Sequence, residues 1–249
     1  MQERFSRVEL LLGAQALRKF AKAKVAVFGL GAVGSFAVEA LARSGVGNFL
    51  LVDFDQVRRS NFNRQLCALE SNLGRLKAEA AAQRVRQVNP SCKVRTAAVF
   101  AGPENLSALL SPRPDVVIDA IDSLGPKAGL ITYCATNKIP LISSMGSGGK
   151  TDPFSIRAGD IRDAGACPLA RRLRKLLKKK GFAGGLRCVY SLQRQQKCKR
   201  QARGEEEFYE RGRKRVPVGT LCYMSGIFGL IVSYEAMRML GCAPLLTEG

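Results

Sequence analysis

The sequence predicts an α/β fold, a Rossmann-like, doubly wound and mostly parallel sheet with a basic C-terminal elaboration. Three observations predict it. Short apolar, β-branched runs alternate with stretches of helical periodicity as far as residue 150. Gly29, Gly31 and Gly34 form a GxGxxG pattern between the first such run and the helix after it. Beyond Lys150 arginine and lysine dominate. We expect one domain over 1–249, with a nucleotide-binding core at about 20–150 and the basic elaboration at about 151–249.

The elements follow in order. "MQERFSRVELLLGAQALRKF" is a leucine-rich amphipathic pattern, expected to be a folded first helix because Glu3 and Glu9 do not suit an acid-poor transit peptide. "KVAVFGLG" is a buried parallel strand ending in glycine, "GSFAVEALARSGV" a helix stopping at Gly45 and Gly47, and "NFLLVDFD" the second strand of a βαβ unit. "GRLKAEAAAQRVRQVNP" is a helix ending before Pro90. "KVRTAAVF", "DVVIDAID" and "IPLISSMG" supply three more strands, separated by "PENLSALL" and "PKAGLITYCATNK". Then come the basic helix "RRLRKLLKKKG", the strand "LRCVYS", and a polar connection over 192–219 that is either mobile or ordered by a partner. An apolar helix from about Val218 to Leu240, expected to be buried, closes the chain.

Composition narrows the chemistry. The longest apolar run, Leu221 to Tyr234, falls short of the ~20 residues that span a bilayer, so no membrane partner is expected. A formal charge of +20 and a pI near 10.1 imply a polyanionic partner, because such a field concentrates phosphate polymers. Eight cysteines without a CxxC pair argue for a reducing, cytoplasmic setting and against structural zinc. The absence of histidine excludes a serine–histidine triad, so proton transfer falls to carboxylates, lysine, a thiol, water or the substrate.

The glycine turn lets backbone N–H groups and a helix's positive end approach phosphate, and Asp53 stands where a carboxylate accepts from ribose hydroxyls. That much suits NAD, FAD, S-adenosylmethionine or ATP. The following loop, "FDQVRRSNFNRQ", discriminates among them. Arg64 and Lys77 are two cations aimed at one crevice, an arrangement useful where a phosphate chain is cleaved and charge grows on the leaving pyrophosphate. "DAIDS" puts Asp119 and Asp122 at the carboxyl end of a third strand, where Asp122 suits Mg²⁺.

"GLGAVG", "LVDFDQVRRSNFNRQ", the Lys77 helix and "DAIDS", in that order, resemble the adenylating superfamily of the ubiquitin-activating enzymes and the sulfur-carrier adenylyltransferases, over at least residues 4–150. The resemblance implies the ubiquitin-activating-enzyme-like fold, ATP and Mg²⁺ as cofactors, and a homodimer. It implies a nucleotide site of Gly29, Gly31, Ala32, Gly34, Asp53, Asp55, Ser60, Asn61, Arg64, Lys77, Asp122 and Ser123, with Arg64, Lys77 and Asp122 catalytic and Asp122 on the metal. An N-terminal arginine that reaches the other subunit matches Arg7, with Arg4 as competitor.

"DAIDSLGPKAGLITYCATNKIPLISSMGSGGKTDPFSI" and "CPLARRLRKLLKKKGF" are similar to a narrower group, the tRNA threonylcarbamoyladenosine dehydratases. These adenylate the threonyl carboxylate of a modified adenosine beside the anticodon and let it cyclise; some relatives work with a cysteine-desulfurase or sulfur-transfer partner. The basic cluster Arg171, Arg172, Arg174, Lys175, Lys178, Lys179 and Lys180 then faces tRNA, where each phosphate neutralised releases counterions. Cys167 and Gln193 stand where the pattern leads us to expect acids. The alternatives are an adenylyltransferase for a ubiquitin-like or sulfur-carrier protein, a non-catalytic RNA-binding module and an NAD oxidoreductase. Cys188 and Cys222 raise a thioester mechanism, against which small buried cysteines weigh.

Overall fold

The computed structural model describes residues 3–182, 185–196 and 218–241. Helix α1 covers Ser6–Lys22 and leads into β1, Lys24–Phe28. Then follow α2 (Gly34–Arg43), β2 (Asn48–Val52), α3 (Lys77–Val88), β3 (Lys93–Ala97), the single turn α4 (Leu106–Leu109) and β4 (Val116–Asp119). After α5 (Leu124–Thr136) and β5 (Leu141–Ser144) come β6 (Ile156–Asp160), α6 (Pro168–Lys179), β7 (Arg187–Ser191) and α7 (Cys222–Met239).

The seven strands form one sheet in the order β3-β2-β1-β4-β5-β7-β6, parallel except for the β6–β7 pair. The chain winds outward from β1 through β2 to β3, then returns to lay β4 on the other side of β1. Such a reversal opens a crevice beyond the carboxyl ends of β1 and β4, where ligands of doubly wound sheets sit. Both sheet faces are covered, which explains the continuous apolar runs. Val25, Val27, Phe49, Leu51, Val116 and Ile118 pack under α1, α2, α3 and α7. Ala26, Phe28, Leu50, Val52 and Val117 face Leu106, Leu130 and Ile139 on the other side.

Three sequence expectations are corrected. The first helix is two helical segments broken at Gly13, whose φ of 81° and ψ of 159° are extended and open only to glycine. Strand β6 was not expected: "IRAGD" buries only Ile156 and pairs as an antiparallel sheet edge. Helix α7 is shorter than expected and is not buried all round, since Tyr223, Leu230 and Tyr234 are exposed while Met224, Phe228, Val232 and Ala236 pack in the core. The basic connection lies outside the described residues from 197 to 217.

Candidate functional site

The glycine turn occupies the crevice at the sheet's switch point. Gly29 has φ +88°, and a Cβ there would stand 2.7 Å from the Ala120 carbonyl oxygen, just past the end of β4. A Cβ on Gly34 would fall 1.8 Å from the Gly29 carbonyl oxygen. Both close approaches require glycine, and together they draw the first turn of α2 against β4. Gly31 and Ala32 are half-buried beside them, and a Cβ on Gly31 would meet only the Gln65 amide, at 3.8 Å.

Asp53 is nearly buried and clamps this turn, accepting from the Leu30 amide at 2.6 Å through one oxygen and from the Asp55 amide at 2.9 Å through the other. Burial pushes its carboxyl up, and the nearby Lys77 charge and the two amides pull the other way. Lys77, in the first turn of α3, pairs with Asp55 at 2.9 Å and donates its backbone amide to the Asp55 carbonyl at 2.9 Å. Asp53, Asp55 and Lys77 therefore form one charged wall.

The Asn–Arg loop folds over the turn. Asn61 is buried and accepts from the Arg58 amide, which rigidifies the loop start. Arg64 donates to the Ser60 carbonyl at 2.6 Å and to Asn63 Oδ1 at 2.9 Å, so its guanidinium is oriented by its own loop. The Leu66 amide donates to Ser35 Oγ in α2, fastening the loop's far end beside the glycines. Asp122 is exposed three residues beyond β4, and Ser123 precedes α5 as its N-cap.

Sequence reasoning named Asp119 without a role and missed Lys127. The two make an ion pair at 2.9 Å with both side chains wholly buried. Lys127 also donates to the Ile121 carbonyl at 2.9 Å, and Asp119 accepts from Ser143 Oγ at 2.7 Å and from the Ile121 amide at 3.1 Å. This network fixes the 120–123 turn against Gly29. The available signal was a lysine inside the apolar stretch "PKAGLI", since a charge on a buried helix face needs a partner.

Of the basic cluster on α6, Arg171, Arg172, Lys175, Lys178, Lys179 and Lys180 are exposed, opposite a buried face of Ala170, Leu173 and Leu177. Arg174 departs from the expected role. Its guanidinium turns inward to the Ile161 carbonyl at 2.7 Å and the Ala164 carbonyl at 3.4 Å. Cys188 is fully buried and its thiol is pushed up to about 12 by burial, which suits packing rather than nucleophilic attack. Cys222 is exposed at the start of α7.

A doubly wound sheet with a glycine turn at its switch point, the buried Asp53 clamping that turn and the Asp55–Lys77 ion pair beside it has the make-up of a nucleotide-binding α/β protein. Comparison with known proteins agrees. The model of the ThiF family matches residues 5–247, and the chain belongs to that family. It is 45% identical over 197 residues, 76% of this chain and 74% of the relative, to the tRNA threonylcarbamoyladenosine dehydratase of Escherichia coli. It is 42% identical over 191 residues, 77% and 75% of the two chains, to that of Bacillus subtilis. The crystal structure of the E. coli tRNA N6-threonylcarbamoyladenosine dehydratase with AMP superimposes with a TM-score of 0.87 at 38% identity, covering 96% of this chain and 94% of that one. The complex of the same enzyme with ATP gives 0.85 at 37%, with the same coverage.

Proposed function

We propose that the protein is an ATP-dependent enzyme that cyclises threonylcarbamoyladenosine next to the anticodon of tRNA, by adenylating the threonyl carboxylate. Its similarity to the E. coli dehydratase over both sequence and structure carries this reading. The carboxylate attacks the α-phosphorus and pyrophosphate leaves; a nucleophile within the same nucleotide then closes on the activated carbonyl and AMP departs. The attacking group is already ionised, so a site without histidine suffices, and catalysis rests on positioning and charge neutralisation.

In this reading Gly29, Gly31, Ala32 and Gly34 offer backbone to the phosphates while Asp53 faces the ribose. Asp55 holds Lys77 extended toward the phosphates, and Ser60, Asn61 and Arg64 line the same loop; the ion pair and loop hydrogen bonds support that arrangement. Mg²⁺ needs only one or two carboxylates once phosphates complete its shell, a donor set that the exposed Asp122, with Ser123 beside it, fits. The ion would neutralise charge on the departing pyrophosphate.

The working form is a homodimer in the cytoplasm, with a cysteine-desulfurase or sulfur-transfer partner as in some relatives. The exposed Leu230 and Tyr234 on α7 support self-association. Arg4 is tied to the Val88 carbonyl of its own chain at 2.9 Å, which leaves the exposed Arg7 to reach a second subunit. Six unpaired cysteines among the described residues accord with a reducing compartment. Among those residues no helix is long and apolar enough to cross a membrane. The test is Lys77→Ala: tRNA-dependent pyrophosphate release should fall at least a hundredfold, on the order of losing one preorganised charge, with circular dichroism unchanged. A folded, active variant would remove Lys77 from the mechanism.

A further inference from the structure

We propose that Phe154 is a stacking platform for an unpaired RNA base flanking the adenosine that reacts; the proposal rests on the tRNA reading above. Phe154 is 85% exposed, the highest value among the large hydrophobic side chains of the described residues. A single exposed apolar residue is ordinary, but this one sits on a backbone fixed from several sides. It lies in the short turn Pro153–Ser155, where its amide donates to Asp152 Oδ1 at 2.9 Å and its carbonyl accepts from Arg157 at 2.6 Å. Ser155 Oγ donates to the Asp152 carbonyl at 2.8 Å and lies 2.8 Å from Ser191 Oγ. The Ser155 carbonyl accepts from the Leu192 amide at 2.9 Å, and Leu192 is itself 53% exposed, two residues before the exposed Arg194. Folding has fixed the backbone and left an aromatic face, a leucine and a cation in solvent.

That platform is also connected to the nucleotide site. Gln193 Oε1 accepts from the Thr151 and Asp152 amides at 2.8 and 3.0 Å, and the Tyr223 hydroxyl donates to the Thr151 carbonyl at 2.7 Å. Tyr223 opens α7, and Thr220 just before it accepts from Asn63 Nδ2 at 3.0 Å. Asn63 belongs to the loop that orients Arg64. The turn is thus held in register with the crevice at the carboxyl edge of the sheet. RNA is the favoured occupant because loops expose unstacked bases that proteins read by aromatic stacking, and a +20 chain with a basic helix draws in their phosphates.

The chain contains no tryptophan, so Phe154→Trp would introduce a sole indole reporter. Titration of that variant with the tRNA substrate should quench its emission, and ATP alone should not. Phe154→Ala should bind the same tRNA about 5- to 150-fold more weakly, the loss typical of one stacked base, while Phe154→Tyr retains wild-type affinity. Because no charge is removed, the salt dependence of binding and the affinity for ATP should be unchanged in Phe154→Ala. Wild-type affinity in Phe154→Ala, or an indole indifferent to saturating tRNA, overturns the stacking site while wild-type tRNA-dependent pyrophosphate release keeps the enzymatic reading intact. Failure of the wild-type protein to bind the tRNA overturns both. A drop in sedimentation mass for Phe154→Ala assigns the ring to contact between copies and also overturns the proposal.

Discussion

Lys127→Met removes an ammonium and keeps most of the volume of its stem. In the wild-type protein that ammonium lies 2.9 Å from Asp119 Oδ2 with both side chains inaccessible to solvent. After the substitution Asp119 keeps two neutral donors, Ser143 Oγ and the Ile121 amide, but a buried carboxylate has lost its counter-charge. Removing one partner of a buried pair costs about 3–5 kcal/mol. For a protein of this size each kcal/mol shifts the melting temperature by roughly 2–4 °C, so a fall of about 6–20 °C is expected. Melts followed by circular dichroism and calorimetry measure it. The double variant Asp119→Asn/Lys127→Met, which strands no charge, should recover a large part of the loss. Because the same network holds the turn bearing Asp122, ATP binding by the single variant should weaken well below its melting temperature. A single variant that melts within about 2 °C of wild type, or a double variant no better than the single, would refute the role assigned to this pair.

Three further outcomes are expected. Gly34→Ala drives a methyl group to within 1.8 Å of the Gly29 carbonyl oxygen; stability should fall by about 1–3 kcal/mol and ATP affinity with it, and calorimetric titration showing wild-type affinity would contradict the geometry. At Glu39 burial works to raise the pKa, but hydrogen bonds from Arg84 and Arg43 prevail and hold the carboxyl below its ordinary 4.5, so its stabilisation is complete above that pH and is lost as pH falls through the lower folded value. Glu39→Gln should therefore melt below wild type at neutral pH, with the gap closing in acid; a gap of constant size would count against it. Replacing Lys175, Lys178 and Lys179 by glutamine should lower tRNA affinity and reduce the slope of log affinity against log salt by roughly 0.7–0.9 for each phosphate no longer neutralised, whereas Arg174→Gln should lower the melting temperature instead, its guanidinium being bound to two carbonyls.

The sheet was legible because parallel strands buried on both faces read as uninterrupted apolar runs, and β1, β2 and β4 did so. Strand β6 was not, since an edge strand with one buried side chain and a glycine carries no such run. The break in α1 left one trace, the glycine in "LLLGAQ", whose φ no periodicity reveals. The placement of the glycine turn, Asp53 and Lys77 at strand and helix ends was readable from residue type and order. Lys127 was not, for it is one of 40 basic residues and its burial depends on Asp119 arriving from a different strand.

The residues that depart from the resembled pattern illustrate the same limit and have a common electrostatic sense. Lys150 is almost wholly buried, and its ammonium donates to the Gln193 carbonyl oxygen. Burial pushes its pKa down, and Cys167 lies near enough to act on it in the opposite direction. Gln193 accepts from the Thr151 and Asp152 amides with its side-chain oxygen and donates to Thr151 Oγ1 with its nitrogen, bridging these groups without adding a charge. With a neutral amide at 193 and a thiol at 167, the buried ammonium is not cancelled by either expected acid. Neither position therefore adds a carboxylate beside Lys150, and a polyanion approaching this edge of the sheet meets two fewer negative charges than the resembled pattern would present.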